Sequence, residues 1–194
     1  KNLIAVTGTN GKSSIADFYL QILKLNKKKA ASIGTLGVNT GDYKKDVLNT
    51  TLDPVELSHH LKKIKKKKIK NVILEASSHG LKQHRLDGLE FKTGIFTNLS
   101  HDHLDYHKNF KDYFNSKLYL FEKLLKKNSN IITDIEIPEY KNIKKIALKK
   151  KLNIETISNL NSSLSIISHK YFKGKQLSQI KYKGKIYKFQ TSLV

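Results

Sequence analysis

The apolar run Leu3-Ile4-Ala5-Val6 breaks into Thr7-Gly8-Thr9-Asn10-Gly11-Lys12-Ser13-Ser14, after which Ile15, Phe18, Tyr19, Ile22 and Leu23 recur at helical spacing. A strand that feeds a helix through a glycine-rich turn is the opening unit of an α/β layer structure. Glycines let the backbone amides curl around a polyphosphate, and the helix N-terminus adds its partial positive charge. In such a loop Lys12 lies along the β- and γ-phosphates, Ser13 offers its hydroxyl to Mg²⁺, and Ser14 makes a further phosphate or capping contact. A plain glycine turn capped by Ser13 is the bland alternative, and the Gly-Lys-Ser run at this junction argues against it. The common phosphate loop would place glycine where Val6 stands. This loop is therefore shorter than that of most kinases and GTPases, which indicates a particular subclass.

The alternation continues downstream. Asp53, Pro54 and Glu56 supply a helix cap, a first-turn proline and an acid at the third position, followed by the stripe Leu57, Leu61 and Ile64. Val72-Ile73-Leu74 and Gly94-Ile95-Phe96 read as buried strands running straight into polar residues. A helix is expected from about Phe110 to Leu125, burying Tyr113, Phe114, Leu118, Phe121 and Leu125. Strands at Ile131–Thr133 and Ile154–Ile157 flank a helix over Tyr140–Lys151. The tail, Leu164–Tyr171 and Gln176–Phe189 with a Lys183-Gly184 turn, has the pattern of antiparallel hairpins at a sheet edge. The fold class is α/β, a largely parallel sheet flanked by helices with an antiparallel edge. With 194 residues, one domain over 1–194 is expected, cut from something longer.

Composition removes several classes of function. Cysteine is absent, which excludes disulfides, thiolate nucleophiles and cysteine-built metal sites. No apolar run approaches the roughly 20 residues of a membrane-spanning helix, and the first residues lack the pattern of a signal peptide, so a cytoplasmic location is expected. The net charge of +21 invites a nucleic-acid reading. Arg85, however, is the only arginine, and the lysine runs 27–29, 65–68 and 149–151 fall near helix ends, where they favour the dipole and face water. An acidic or phosphorylated small molecule is the better electrostatic match.

Glu75 ends the strand Val72–Leu74, where a carboxylate can reach Mg²⁺; a solvated strand-end acid is the alternative. The next strand leads to Thr97-Asn98-Leu99-Ser100-His101-Asp102-His103-Leu104-Asp105-Tyr106-His107, in which three histidines and two aspartates within seven residues are too dense for a core motif. Ligand type alone would allow zinc, yet a phosphate loop and hard carboxylates favour magnesium. Lys117 falls one turn after Phe114 and one turn before Phe121, on or beside an apolar stripe. Either its stem packs while the ammonium reaches water, or the amine points into the site. In the second case CO₂ can add to the neutral amine and give a carbamate, a carboxylate-like magnesium ligand.

The Gly8–Ser14 loop, Asn49-Thr50-Thr51, the segment Glu75-Ala76-Ser77-Ser78-His79-Gly80-Leu81-Lys82-Gln83-His84-Arg85 and the Thr97–His107 segment together resemble the central domain of the Mur ligases. Within that family the resemblance is to the branch that adds a diamino acid to UDP-N-acetylmuramoyl-L-alanyl-D-glutamate. It covers nearly the whole chain and is weaker in the hairpin tail. The resemblance implies the middle, ATP-binding domain of a three-domain enzyme, with ATP on Gly8, Thr9, Asn10, Gly11, Lys12, Ser13, Ser14 and Asn98. It puts the UDP-muramoyl dipeptide on Asn49, Thr50, Thr51, Ser77, Gln83 and Arg85. It puts magnesium, two ions in the family, on Ser13, Glu75, His103 and a carbamoylated Lys117, and makes Lys12, Lys117 and His103 the catalytic set.

Two positions depart from the family pattern. Leu52 stands where proline often follows the threonine pair, and the loop ends in Ser13-Ser14 where the family usually has threonines. Serine keeps the hydroxyl, so only the shape of the substrate loop is affected.

The implied chemistry is ATP-dependent amide formation through an acyl phosphate, with meso-2,6-diaminopimelate or lysine as the added amino acid. The diamino acid would be held mainly by a domain beyond this piece, so the piece alone should not turn over. The alternatives are another ligase of the superfamily such as folylpolyglutamate synthase or a cyanophycin-type ligase, a nucleic-acid-associated P-loop ATPase, and a non-catalytic nucleotide-binding module. Absent arginine patches and aromatic platforms speak against the ATPase.

Overall fold

The computed structural model describes residues 2–103, 105–159 and 162–192. Leu104 of the histidine-rich segment and the terminal residues Lys1, Leu193 and Val194 lie outside them. In chain order the elements are β1 (Asn2–Thr7), α1 (Lys12–Leu25), β2 (Ala30–Gly34), β3 (Gly37–Asn39), β4 (Lys44–Lys45), α2 (Pro54–Lys66), β5 (Asn71–Glu75), α3 (Ser78–Lys82) and β6 (Phe91–Phe96). There follow α4 (Phe110–Tyr119), one turn of π-helix (Leu120–Leu124), β7 (Leu125–Asp134), α5 (Tyr140–Lys150), β8 (Asn153–Ser158), β9 (Leu164–Phe172), β10 (Lys175–Tyr182) and β11 (Lys185–Thr191).

The strands form one sheet in the order β11-β10-β9-β8-β7-β6-β1-β5-β2-β3-β4. From β2 across to β9 neighbouring strands are parallel; β9-β10-β11 and β2-β3-β4 are antiparallel margins. The mostly parallel sheet and hairpin edge expected from the sequence are both present.

The pleat of β1 sorts the core. Ile4 and Val6 pack with Ile73, Ile95 and the α1 residues Ala16, Ile15 and Tyr19, while Leu3 and Ala5 join the larger cluster on the opposite face. Burial on both faces is what makes the central strands near-continuous apolar runs. At α2 the Asp53 carboxylate accepts hydrogen bonds from the Val55 and Glu56 amides at 2.9 and 3.0 Å, the expected cap.

Two helices carry detail that spacing alone does not give. In α1 the fully buried positions are Ala16 and Leu20, whereas Phe18 is 40% and Ile22 57% exposed. Small Ala16 allows the helix to approach Val6 and Ile73, which turns part of the expected stripe outward. The helix expected over about 110–125 is present: it is α-helical to Tyr119 and closes with the π-turn Leu120–Leu124, and the chain enters β7 at Leu125. Its buried residues are those expected, Tyr113, Leu118, Phe121 and Leu125, with Phe114 partly buried.

Register aligns the strand ends that matter. Val6 of β1 lies opposite Glu75 of β5 and Ile95 of β6, and Thr7 lies opposite Phe96. Thus the Gly8–Ser14 loop, Glu75 and the segment after Phe96 leave the sheet together at its carboxyl edge, where open α/β sheets place ligands.

Candidate active site at the carboxyl edge of the sheet

Gly8 has φ +143°, and a Cβ there would stand 1.9 Å from Thr97 Oγ1, so only glycine lets the loop rest against the end of β6. The contact is sewn by polar bonds. The Thr9 amide donates to Asn98 O at 2.9 Å, the Asn10 amide to Asn98 Oδ1 at 2.9 Å, and Thr97 Oγ1 to Asn10 O at 2.7 Å. Asn98 therefore lies against the loop. The Lys12 ammonium donates to the carbonyls of Thr9 (2.7 Å) and Gly8 (3.1 Å), and burial holds its pKa below the usual lysine value against the opposing pull of Glu75 and Asp102.

Ser13 does not cap α1: the cap position is Gly11 at φ +84°, without a side-chain bond. Its hydroxyl instead donates to Glu75 Oε2 at 2.9 Å, while Ser14 is exposed. Glu75 is only 2% exposed, which rules out a merely solvated strand-end acid. Its other contacts are the Thr35 amide on Oε1 at 2.9 Å and the Thr35 hydroxyl on Oε2 at 3.2 Å. A Cβ on Gly34 would meet Glu75 Oε1 at 2.1 Å, so β2 must end in glycine to admit the carboxylate.

A second cluster shares the end of β5. Thr51, buried, donates from Oγ1 to the Glu75 carbonyl at 2.9 Å, accepts from the Ser77 amide at 2.9 Å and lies 3.0 Å from Ser77 Oγ. Ser77 in turn caps α3 by accepting from the Gly80 amide. Arg85 donates from Nη1 to Thr51 O at 2.6 Å and from Nε to Gln83 Oε1 at 2.8 Å. Thr50 Oγ1 lies 3.0 Å from Thr35 Oγ1, tying this cluster to the carboxylate, and Asn49 is exposed beside it in sequence.

Lys117 is 1% exposed, so its head does not reach water. The amine donates to Gly8 O at 2.8 Å and lies 4.4 Å from the centre of the Tyr113 ring. Burial, and secondarily the Lys12 charge, lower its pKa to about 7, with Asp102 pulling the other way. Tyr113 OH is 3.0 Å from Thr9 Oγ1, which also accepts from the Ser100 amide at 3.0 Å.

The histidine-rich segment divides. His103, at φ +53°, has a half-exposed ring 3.5 Å from Asp102 Oδ2. His107 is a correction to the expectation that this segment lies outside the core: its side chain is fully buried, with rings of Tyr113, His79 and Tyr106 at 5.1, 5.6 and 5.0 Å. Burial pushes the pKa of both His79 and His107 below the usual histidine value.

Of the four residues read as magnesium ligands, the structure joins Ser13 to Glu75, sets Lys117 against the loop carbonyl and leaves His103 facing Asp102. Among the described residues no group of three or more His, Asp or Glu forms a ready-made metal cage. The buried Glu75 carboxylate beside the half-buried Ser13 hydroxyl is a pair of hard oxygen donors that fits magnesium, which commonly takes one or two carboxylates and completes its shell with phosphates and water. Sequence reasoning missed Thr35, which carries no motif signal, and the polar end of Tyr113, which its place in an apolar stripe concealed.

The family model for the Mur ligase middle domain matches residues 6–194. The chain belongs to the Mur ligase family. This Mur ligase domain is 37% identical, over 191 residues and 98% of its length, to the UDP-N-acetylmuramoyl-L-alanyl-D-glutamate--2,6-diaminopimelate ligase of Chelativorans sp. (strain BNC1), of which it covers 40%. It is 47% identical over 122 residues to the protein of the same name from Leptospira borgpetersenii serovar Hardjo-bovis (strain L550), covering 63% of this chain and 24% of that one. A solved structure bearing that enzyme name superposes with a TM-score of 0.88 at 28% identity, over 99% of this chain and 39% of the other. A folylpolyglutamate synthase of Mycobacterium tuberculosis complexed with ADP, at 12% identity and TM-score 0.74 over 95% of this chain and 48% of its own, shares the fold. The chain spans about 40% of the length of the first of these relatives. Among the described residues no helix is long and apolar enough to cross a membrane.

Proposed function

We propose that the protein containing this domain is an ATP-dependent ligase that joins meso-2,6-diaminopimelate to UDP-N-acetylmuramoyl-L-alanyl-D-glutamate in peptidoglycan precursor synthesis. The observation that carries the reading is the shared end of β5. Glu75 bonds the loop residue Ser13 through its carboxylate and the Thr51–Ser77 cluster through its carbonyl, which supports a reading in which the proposed phosphate and acceptor sites meet at one residue. The names of the relatives supply the choice of acceptor and amino acid. In this reading the location is cytoplasmic, where ATP and nucleotide-linked precursors are available.

In the proposed division of labour, Gly8, Thr9, Asn10, Gly11, Lys12, Ser13, Ser14 and Asn98 hold ATP, and Asn49, Thr50, Thr51, Ser77, Gln83 and Arg85 hold the UDP-muramoyl dipeptide. Lys12, already directed along the loop carbonyls, neutralises charge on the transferring phosphoryl oxygens. The γ-phosphoryl group passes to the terminal D-Glu carboxylate; the diamino acid's amine attacks the resulting acyl phosphate, and the tetrahedral adduct collapses to an amide and phosphate. Ser13, Glu75, His103 and a carbamoylated Lys117 would hold magnesium, which supplies charge stabilisation to the phosphate oxygens when bound. The pKa of about 7 at Lys117 favours this modification: the neutral nitrogen bonds the carbon of CO₂ and loses a proton to solvent. Lys117 then serves as a ligand, not as a base or nucleophile. The diamino acid is assigned mainly to a part of the enzyme beyond this domain.

The test is phosphate release by the full-length protein with ATP, Mg²⁺ and UDP-N-acetylmuramoyl-L-alanyl-D-glutamate, comparing diaminopimelate with lysine. Release that requires both the dipeptide and diaminopimelate is expected. Release with lysine alone reassigns the amino acid, and release with a folate but not with the dipeptide moves the assignment elsewhere in the superfamily.

A further inference from the structure

Gln83 joins two side chains that sequence motifs do not connect. The Arg85 guanidinium can only donate, so the Gln83 amide oxygen must face Arg85 Nε, at 2.8 Å. That fixes the amide nitrogen toward Tyr106, whose hydroxyl oxygen lies 2.9 Å away. An amide NH₂ has no lone pair to offer, so Tyr106 accepts in this bond and its own phenol hydrogen is left over. Among the described residues, Gln83 is the hydrogen-bond partner of that hydroxyl. Among the described residues, Arg85 likewise spends two of its five N–H groups, on Gln83 and on Thr51 O.

The Tyr106 ring is held in place. It stacks on His79 with centroids 4.0 Å apart and the planes inclined by 33°, touches His107 at 5.0 Å, and carries the Lys82 ammonium 5.6 Å from its centre. It is still 37% exposed. From its partner His79 a short path of rings runs to His103 (4.9 Å) and Tyr113 (6.1 Å), and Tyr113 OH is 3.0 Å from Thr9 in the phosphate loop. Tyr106 thus links the Arg85–Gln83 pair to a chain of rings that leads to the phosphate loop, and on the proposed function that is the side on which the acceptor presents its acid end.

We infer that Tyr106 is a substrate-contacting residue that donates its phenol hydrogen to a carboxylate, the one on D-Glu that does not react, forming with Arg85 the two arms of one clamp bridged by Gln83. A carboxylate suits both arms because it only accepts, and hydrogen bonds to an ionised acceptor are the strong ones. The inference rests on the acceptor reading proposed above.

The experiment is steady-state kinetics of the full-length protein and its Tyr106→Phe variant, which keeps the ring and removes only the hydroxyl. The KM for the UDP-muramoyl dipeptide should rise about tenfold, the equivalent of one such bond at about 1.4 kcal/mol per decade, with kcat, the KM for ATP and Tm nearly unchanged. With an acceptor whose non-reacting D-Glu carboxylate is converted to the amide, the two proteins should differ far less. An unchanged dipeptide KM in Tyr106→Phe, or an equal rise with both acceptors, overturns the inference while wild-type turnover leaves the acceptor reading standing. Absence of dipeptide-dependent turnover by the wild type overturns both. A purely structural role would lower Tm and disturb the KM for ATP as well, which also counts against the clamp.

Discussion

An amine with both stem and head buried is more stable neutral than charged, and Lys117 shows how this enters the folding equilibrium. Below about pH 7 it is protonated folded and unfolded, so the burial penalty is fully present; between about 7 and the ordinary lysine value of 10.5 the unfolded chain binds the extra proton. Stability should therefore rise with pH across that window, by at most about 1.4 kcal/mol per pH unit from this group. Lys12 shifts in the same direction, so the measurement is the difference between wild type and Lys117→Met in urea melts from pH 6.5 to 9.5. The difference should shrink as pH rises; a constant difference would mean that Lys117 does not titrate in this range. This residue was legible in the sequence because a charge interrupting an apolar stripe stands out. His107 was not, since its burial inside a polar run is decided by His79 and Tyr113, which arrive from α3 and α4, together with its neighbour Tyr106.

Elements with strong periodicity or a cap were readable, and those made of small residues were not. β2 is Ala30-Ala31-Ser32-Ile33-Gly34, buried throughout between β5 and β3, yet Ile33 is its single β-branched residue and it has no aromatic, too little to announce a strand. Its smallness is functional geometry, because Gly34 admits the Glu75 carboxylate. α1 presents the opposite case: its period is clear, but period alone does not say which edge of a wide apolar stripe meets the sheet. The packing predicts that Leu20→Ala, at a 6% exposed position, costs about 2–4 kcal/mol in chemical denaturation. Phe18→Ala, at a 40% exposed position, should cost about 1 kcal/mol or less. A larger loss at Phe18 than at Leu20 would place the core on the Phe18 edge of the helix.

At the scale of the whole molecule, chain order and register bring distant segments to one edge of a chain that carries a net charge of +21. The phosphate loop was legible because its chemistry is local; the meeting of Thr35, Thr51 and Glu75 was not, because it depends on β2 lying beside β5. The charge has two consequences that salt separates. Like charges oppose compaction, so raising NaCl from low to physiological ionic strength, where the screening length falls to about 8 Å, should raise Tm. On the proposed function, the same screening weakens attraction for the acceptor, which would carry a diphosphate and carboxylates, so its KM should rise over the same range. Opposite signs of the two responses, read by thermal melts and by initial rates in one salt series, would attribute the lysines to a general field; a KM that ignores salt would leave acceptor binding to short-range contacts such as those proposed for Arg85, Ser77 and Thr51.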